Sequence, residues 1–333
     1  MSIDSARVVG TGSIGTRYLR ALASVMGRPP IAVPIGGALR DPSIMESVIF
    51  EALDDPAPPY VDLCVIASNT NRHLEDFWRY KESADVLLIE KPLSFSSDSL
   101  RDFDLSYPSH KIAVASPLRF LEGFGAVRAQ LSALGEITGV SVQCRSWLPS
   151  WRPNSDFRRS YSADPIQGGV LLDLVHEVDY CLQLFGTPVE LSAALGRQSV
   201  LGIDSESTAN LLWRYGAYDL HMTLDYVSRP SARSVTVYGT EASFTWDLLE
   251  ASVAVWDHLL GTCEISSFPD DLHRDLILER QIRATAARQG DPRISTLTQA
   301  FNAVALCDLA KESARRSGIE LNTRDVLEAP GEG

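Results

Sequence analysis

Ala6-Arg7-Val8-Val9-Gly10-Thr11-Gly12-Ser13-Ile14-Gly15 opens the chain with a short apolar run and three glycines in the spacing Gly-x-Gly-x-x-Gly. Thr16 to Ser24 follows with Leu19 and Leu22 on the helical face that Ile14 begins. The stretch predicts a strand, a tight turn and a helix. Gly10 permits the turn, and Gly12 lets the backbone approach a pyrophosphate held at the helix N-terminus beside Ser13 and Ile14. Gly15 lets helix and strand pack closely. The reading is a dinucleotide-binding turn; a purely structural glycine turn is the alternative.

Downstream, apolar strands alternate with helical stretches. Ile31-Ala32-Val33-Pro34-Ile35 reads as a second strand whose proline suggests a distorted or edge position. An acidic residue for the adenosine ribose is expected near its end. Gly36-Gly37-Ala38-Leu39-Arg40 stands there instead. With no carboxylate to repel a 2′-phosphate and Arg40 able to pair with one, the cofactor reading is NADP or NAD, leaning towards NADP. Arg40 as a plain loop charge is the alternative. Val61 to Ala67 is continuously apolar except for Asp62, as a central parallel strand should be. It ends in Ser68-Asn69-Thr70-Asn71-Arg72-His73, small polar residues suited either to a ligand crevice or to helix capping. A helix over 74–81, a strand over 85–89, a helix from Ser96 to Phe103 and a strand from Lys111 to Ala115 complete the alternation. That pattern predicts an α/β domain over 1–118, a doubly wound parallel sheet. Glu90-Lys91-Pro92 closes the 85–89 strand. Proline biases Lys91 to extended geometry on the sheet's rim, where a partly desolvated lysine can serve as acid or base.

Residues 119–333 read differently. After a helix over 123–134 and a strand from Ile137, Trp151, Arg158, Arg159 and Tyr161 interleave aromatic and guanidinium groups. Such a mixture suits a sugar face and its hydroxyls, or a loop packed by its own tryptophans. A single helix is expected from Gly169 to Phe185, ended by Gly186. On it Asp173 and His176 stand one turn apart, so the carboxylate can orient the imidazole as a general base. Asp179 lies one further turn along, but one histidine with two carboxylates is a poor metal set and no metal is expected. Strands over 189–195, 208–215, 219–228, 234–239 and 242–247 with short links predict an antiparallel sheet. Leu211, Trp213, Leu220, Met222 and Leu224 are read as its open apolar face, covered in a homodimer or homotetramer. Two helices, over 272–289 and 294–317, finish the chain.

The totals bound what the protein can do. A chain of 333 residues supports two domains with real cores. A net charge of −13 argues against a nucleic-acid partner. The five cysteines are scattered without a Cys-x-x-Cys pair, and are read as reduced residues of a cytoplasmic protein. No signal peptide and no membrane span is expected.

Taken in order, Gly10 to Gly15, Ala67-Ser68-Asn69-Thr70-Asn71-Arg72-His73, Glu90-Lys91-Pro92 and Leu118-Arg119-Phe120 resemble the glucose–fructose oxidoreductase / inositol dehydrogenase / rhizopine catabolism (Gfo/Idh/MocA) family. Gly168-Gly169 followed by Asp173 and His176 extends the resemblance into the second half. It implies a Rossmann domain followed by an α+β domain with an open-faced, mostly antiparallel sheet. It also implies NAD(P)-dependent hydride transfer to or from a hydroxyl or keto carbon of a sugar, nucleotide sugar, aminosugar or cyclitol. Lys91, Asp173 and His176 match the family's catalytic lysine, aspartate and histidine. Gly10, Gly12, Ser13, Ile14, Gly15, Arg40, Ser68, Asn69, Thr70, His73, Glu90 and Lys91 would hold the cofactor. Arg119, Trp151, Arg158, Arg159 and Tyr161, with Asp173 and His176, would meet the substrate. Two departures stand out. Gln167 precedes Gly168-Gly169 where many members have a third glycine, and the Asp–His spacing is one residue shorter than in many sugar and inositol dehydrogenases. Some relatives are regulators, so a non-catalytic nucleotide and sugar sensor is the rival reading; intact Lys91, Asp173 and His176 argue against it.

Overall fold

The computed structural model describes residues 3–36, 42–153, 155–287 and 290–327. Its first domain contains strands β1 (Ala6–Val9), β2 (Ile31–Val33), β3 (Ile49–Phe50), β4 (Val61–Ile66), β5 (Ala84–Ile89) and β6 (Ile112–Val114), with helices α1 (Ser13–Met26) and α2 (His73–Tyr80). The six strands form one parallel sheet in the order β3-β2-β1-β4-β5-β6. Val8, Leu63, Val65, Val86 and Ala113 fill one side of it, and Val9, Cys64, Ile66, Ile89 and Val114 fill the other. Burial on both faces explains the continuous apolar strands.

Two expectations for this domain are corrected. β2 is not an edge strand: it lies between β3 and β1, and the edge is the two-residue β3. Pro34 has no N–H to donate to a ladder, so the strand stops at Val33. The helix expected over 96–103 is a single 3-10 turn, Ser97–Leu100. Serine and aspartate side chains there compete for backbone groups. The Ser96 hydroxyl accepts from the Asp98 N–H, and Asp308 Oδ2 accepts from the Ser97 N–H at 2.7 Å.

The second domain begins with α3 (Glu122–Gln130) and β7 (Ile137–Trp147), then α4 (Val170–Asp173) and α5 (Val175–Phe185). β8 (Glu190–Gly196), β9 (Thr208–Arg214), β10 (Asp219–Asp225), β11 (Val227–Gly239), β12 (Ala242–Asp247), β13 (Ser252–Asp257) and β14 (Thr262–Ser267) follow. The chain ends in α6 (Arg274–Ala287), α7 (Leu297–Arg315), β15 (Leu321–Asn322) and α8 (Arg324–Leu327). The nine-stranded sheet runs β14-β13-β12-β11-β7-β10-β9-β8-β15, antiparallel throughout except for the parallel pair β7 and β10. A parallel pair needs a long crossover; here α4 and α5 lie on it. β14, all exposed residues, carried no apolar pattern in the sequence.

The open-face assignment also changes. Leu211, Trp213, Leu220, Met222 and Leu224 are each at most 3 % exposed and belong to the main core. Strand alternation placed them together correctly but could not tell which face is covered. The other face carries Asn210, Arg214, Asp219, His221 and Thr223, half-buried or exposed. With the half-buried Leu212 it is mostly polar, so Leu211, Trp213, Leu220, Met222 and Leu224 no longer argue for a homodimer or homotetramer through this sheet. Cys64, Cys144, Cys181 and Cys307 are buried and free, and Cys263 is exposed. Among the described residues no helix is long and apolar enough to cross a membrane.

The C-terminal helices return to the first domain. Tyr18 on α1 donates to Glu90 Oε1 at 2.7 Å and accepts from Gln281 Nε2 on α6 at 3.1 Å. Gln281 Oε1 accepts from the Ser116 N–H at 3.0 Å. Leu297 and Ala300 of α7 join the first sheet's core. The carboxyl ends of β4 and β5 are thereby fixed against both halves of the chain.

Candidate active site

The glycine turn is compelled by packing at two of its three positions. Gly10 has φ +93°, and a Cβ there would lie 2.6 Å from the Ala67 carbonyl oxygen. A Cβ on Gly15 would lie 1.9 Å from the Gly10 carbonyl oxygen. Gly12 differs: its Cβ would meet nothing within 4 Å. Protein packing does not require that glycine, and the space in front of it adjoins the N-terminus of α1. That terminus has Gly12 as N-cap, no side-chain cap and no acidic residue in its first turn. Ser13 is exposed there and Ile14 half-buried. Unsatisfied N–H groups, the helix dipole and room for a close approach fit a pyrophosphate.

Across the sheet, at the end of β4, Ser68 Oγ is buried and has no hydrogen-bond partner. Asn69 precedes the 3-10 turn Thr70–Arg72 without capping it by its side chain. The capping alternative for these two residues is therefore not what the fold uses them for. Ser68, Asn69 and Thr70 stand at the crevice edge with side-chain groups that could meet a dinucleotide. Arg40 lies outside the described residues.

His73 and Glu90 are placed differently from the sequence reading. His73 is 1 % exposed, with Nδ1 3.0 Å from the Pro92 carbonyl and Nε2 3.1 Å from the Ser68 carbonyl. A neutral ring can donate to only one of these, and burial pushes its pKa down. His73 therefore ties the Ser68 loop to the Pro92 turn. Glu90 accepts from Tyr18 and, at 3.2 Å, from the Lys91 N–H. Burial raises its pKa. It anchors the end of β5 to α1.

Lys91, Asp173 and His176 do come together. The helix expected over 169–185 is broken at Leu174, with φ −98° and ψ 25°. The Glu177 N–H bonds to the Leu174 carbonyl, not to Asp173 one turn back. The Asp173 carbonyl is left free and accepts from Lys91 Nζ at 2.8 Å. The break also puts Asp173 at the end of α4 and His176 in α5. Asp173 is 4 % exposed, and its Oδ2 accepts from the Tyr226 hydroxyl. His176 is half-buried and lines one cavity with Lys91, Pro92, Ser116 and Asp179. Burial first, then the positive charges of Lys91 and Arg233, hold its pKa well below 6.5. At neutral pH it is an uncharged imidazole able to take a proton.

The sign of this shift makes a prediction. Unfolded histidine protonates near pH 6.5, whereas native His176 and His73 stay neutral below it. Their contribution to stability is full above about pH 6.5 and is lost as pH falls towards the folded values. Denaturant titrations at pH 7.5 and 5.5 should show lower stability at 5.5. The effect should shrink when both positions carry glutamine.

Arg119 is buried and engaged by protein groups. It is 1 % exposed; Nε and Nη2 donate to Asp179 at 2.9 and 2.5 Å, and Nη1 donates to Gln299 at 2.8 Å. A buried bidentate pair of this kind locks α5 to the chain after β6. It also engages Asp179, and no cluster of metal-ligating side chains occurs among the described residues.

The aromatic segment divides. Trp151 and Tyr161 are 37 % and 43 % exposed. Trp151 packs edge-on against Tyr226, with ring centroids 5.4 Å apart, and donates to Ser146 Oγ at 2.9 Å. The Tyr161 hydroxyl faces Asp173, and burial together with that carboxylate pushes its pKa well up. Arg158 instead lies over the Phe157 ring at 4.6 Å and 3.7 Å from Asp156, engaged by its own loop, and Arg159 is exposed. Sequence reasoning missed Tyr226, Arg152 over the Tyr161 ring, and Arg233, which donates to the fully buried Glu177 at 2.6 Å. Tyr226 directly follows the alternating strand β10, where nothing in the linear pattern separates it from a core tyrosine.

With this geometry in place, residues 127–245 match the family model of the GFO/IDH/MocA C-terminal domain. The match covers that stretch of the second domain and not the first domain. No curated protein matches the chain. Solved structures share this two-domain architecture at low identity. A Desulfitobacterium hafniense protein, provisionally named an NADPH-dependent oxidoreductase, has TM-score 0.81 at 14 % identity, covering 98 % of this chain and 99 % of its own. An Agrobacterium radiobacter oxidoreductase in complex with NAD+, L-tartaric acid and magnesium has TM-score 0.76 at 17 % identity, covering 98 % and 99 %. An inositol dehydrogenase homologue from Azotobacter vinelandii, complexed with NAD+, has TM-score 0.73 at 17 % identity, covering 96 % and 98 %. At such identities the likeness establishes the fold of both domains and nothing further.

Proposed function

We propose that the protein is an NAD(P)-dependent oxidoreductase acting on a hydroxyl or keto carbon of a sugar-like polyol. The observation that carries this reading is the pairing of Lys91 with an uncharged His176 in one cavity. The glycine turn, the space before Gly12 and the partnerless Ser68 hydroxyl fit a dinucleotide beside it. When bound, its nicotinamide supplies the hydride acceptor or donor at C4. His176 takes or returns the substrate hydroxyl proton. Lys91, held by the Asp173 carbonyl, donates to the same oxygen and stabilises the charge that develops there. Trp151 and Tyr161 offer aromatic faces for a sugar ring. Arg40, preceded by Gly36-Gly37-Ala38-Leu39 with no carboxylate among them, favours NADP over NAD. Neighbours complexed with NAD+ support a nicotinamide cofactor.

The test is direct. The purified protein is mixed with NAD or NADP and a panel of sugars, nucleotide sugars, aminosugars and cyclitols, and reduced nicotinamide is followed by absorbance. Turnover with one panel member is the expected result. Tight nucleotide binding without turnover of any member would move the reading to a sensor.

A further inference from the structure

Three arginines from three elements gather where the second domain meets α1, and no motif of the chain includes them. Arg17 lies one turn along α1 from Ser13 and Ile14, on the same face, and is half-buried. Arg274 opens α6 at the surface. Arg233 projects from β11 towards α5, where its Nε donates to Glu177 Oε1 at 2.6 Å. The two helices lie side by side: Tyr18 accepts from Gln281 Nε2 at 3.1 Å, and Arg20 stands 3.8 Å from Asp275. Arg17 and Arg274 flank that contact. Partial desolvation first, then the like charges of Arg17 and Arg233, push Arg274 below the usual arginine pKa. After burial, Lys91 and Arg233 act on His176 in the same sense. The cluster therefore borders the imidazole that handles the proton.

No carboxylate relieves this crowding, although acidic residues outnumber basic ones in the chain by 43 to 30. The acids near the start of α6 are engaged elsewhere. Asp270 and Asp271 each stand 3.4 Å from Arg280, and Asp271 also accepts from the Glu122 and Gly123 N–H groups. Asp275 faces Arg20. Glu177 takes one prong of Arg233 only. Arg233 Nη2 is screened from solvent and donates to nothing, and Glu177 Oε2 accepts nothing. A guanidinium serving this carboxylate alone would use both prongs. Among the described residues Arg17 and Arg274 make no hydrogen bond and no ion pair. Like charges held together without a counter-charge cost stability, and a cleft lined by one sign of charge attracts a ligand of the other.

We propose that Arg17, Arg233 and Arg274 receive an oxyanion carried by the substrate, so that the sugar-like substrate is a sugar acid or a sugar phosphate and not a neutral polyol. This rests on the proposed function for the hydroxyl that reacts, but its test does not depend on turnover. The dinucleotide's pyrophosphate is the poorer occupant. It has its own place at the glycine turn, whereas Arg233 and Arg274 belong to the second domain, on the side of His176.

The protein saturated with NADH is titrated calorimetrically with D-glucose, D-glucuronate and D-glucose 6-phosphate, as wild type, Arg17→Gln and Arg274→Gln. Neither side chain is in the core, so both variants should fold. Arg233 is left in place because its loss would strand the buried Glu177. One of the two anions should bind at least ~10-fold more tightly than D-glucose. Each variant should remove ~10-fold or more of that affinity, with D-glucose and NADH affinities held within ~3-fold. Added salt should erode the same advantage. Thermal stability should stay level or rise, because a like charge has been removed. Glucuronate as the better ligand assigns a carboxylate, and glucose 6-phosphate a phosphate. Equal affinities for D-glucose and both anions would overturn the inference, as would an advantage that survives both substitutions. A parallel loss of NADH affinity would also overturn it and give the arginines to the dinucleotide's phosphates. Anion binding with the expected pattern but no turnover would leave this inference standing and sink the dehydrogenase reading.

Discussion

Lys91→Ala lowers turnover at least ~100-fold. The ammonium is held by one hydrogen bond to the Asp173 carbonyl, which a helix break alone makes available. Its remaining donors serve the cavity shared with His176. Alanine removes the group that stabilises charge on the substrate oxygen. It leaves the glycine turn and the Ser68 crevice untouched, so any loss of nucleotide affinity beyond these reports Lys91's own share in holding the cofactor. Arginine at this position should rescue poorly, because a planar fork cannot replace a compact ammonium inside a small cavity. Steady-state turnover on the substrate found by the panel, with NADH titration by fluorescence, checks both halves. Turnover within ~3-fold of wild type would remove Lys91 from the chemistry.

Gly15→Ala destabilises the fold by about 3 kcal/mol or more and abolishes nucleotide binding, whereas Gly12→Ala leaves stability unchanged and weakens binding at least ~10-fold. The two glycines differ in what a methyl group meets. At Gly15 it would stand 1.9 Å from a backbone carbonyl that the turn cannot move without separating α1 from β1. At Gly12 it enters open space with φ −68°, which alanine adopts without strain. Any penalty at Gly12 must therefore come from a ligand that needs the space. Thermal unfolding and NADH titration of both variants separate the roles. Unchanged binding in Gly12→Ala would count against a dinucleotide at the α1 N-terminus, whatever happens at Gly15.

The parts legible in the sequence are those governed by short-range rules. The Gly-x-Gly-x-x-Gly turn, the buried strands β4 and β5, and Lys91 at the rim follow from local periodicity and backbone freedom. So does the grouping of Leu211, Trp213, Leu220, Met222 and Leu224, because alternation in a strand is a local property. Which face of the sheet is covered is not local: it depends on where α4, α5 and α7 dock, and the structure reverses that assignment. The same limit applies to charged groups. Arg119, His73 and Glu90 look like ligand contacts in one dimension. In three dimensions partners far along the chain, such as Asp179, Pro92 and Tyr18, engage them. Asp173 shows the contrast most sharply. Helical periodicity sets it one turn from His176, but the break at Leu174 turns its carbonyl to Lys91 and its carboxylate to Tyr226, 53 residues away. Residue type and spacing by themselves determine the turn, the strands and the candidate acid and base. Tertiary packing alone decides which polar groups are already satisfied, and so which remain to meet a ligand, because hydrogen bonds between distant segments leave no trace in local sequence.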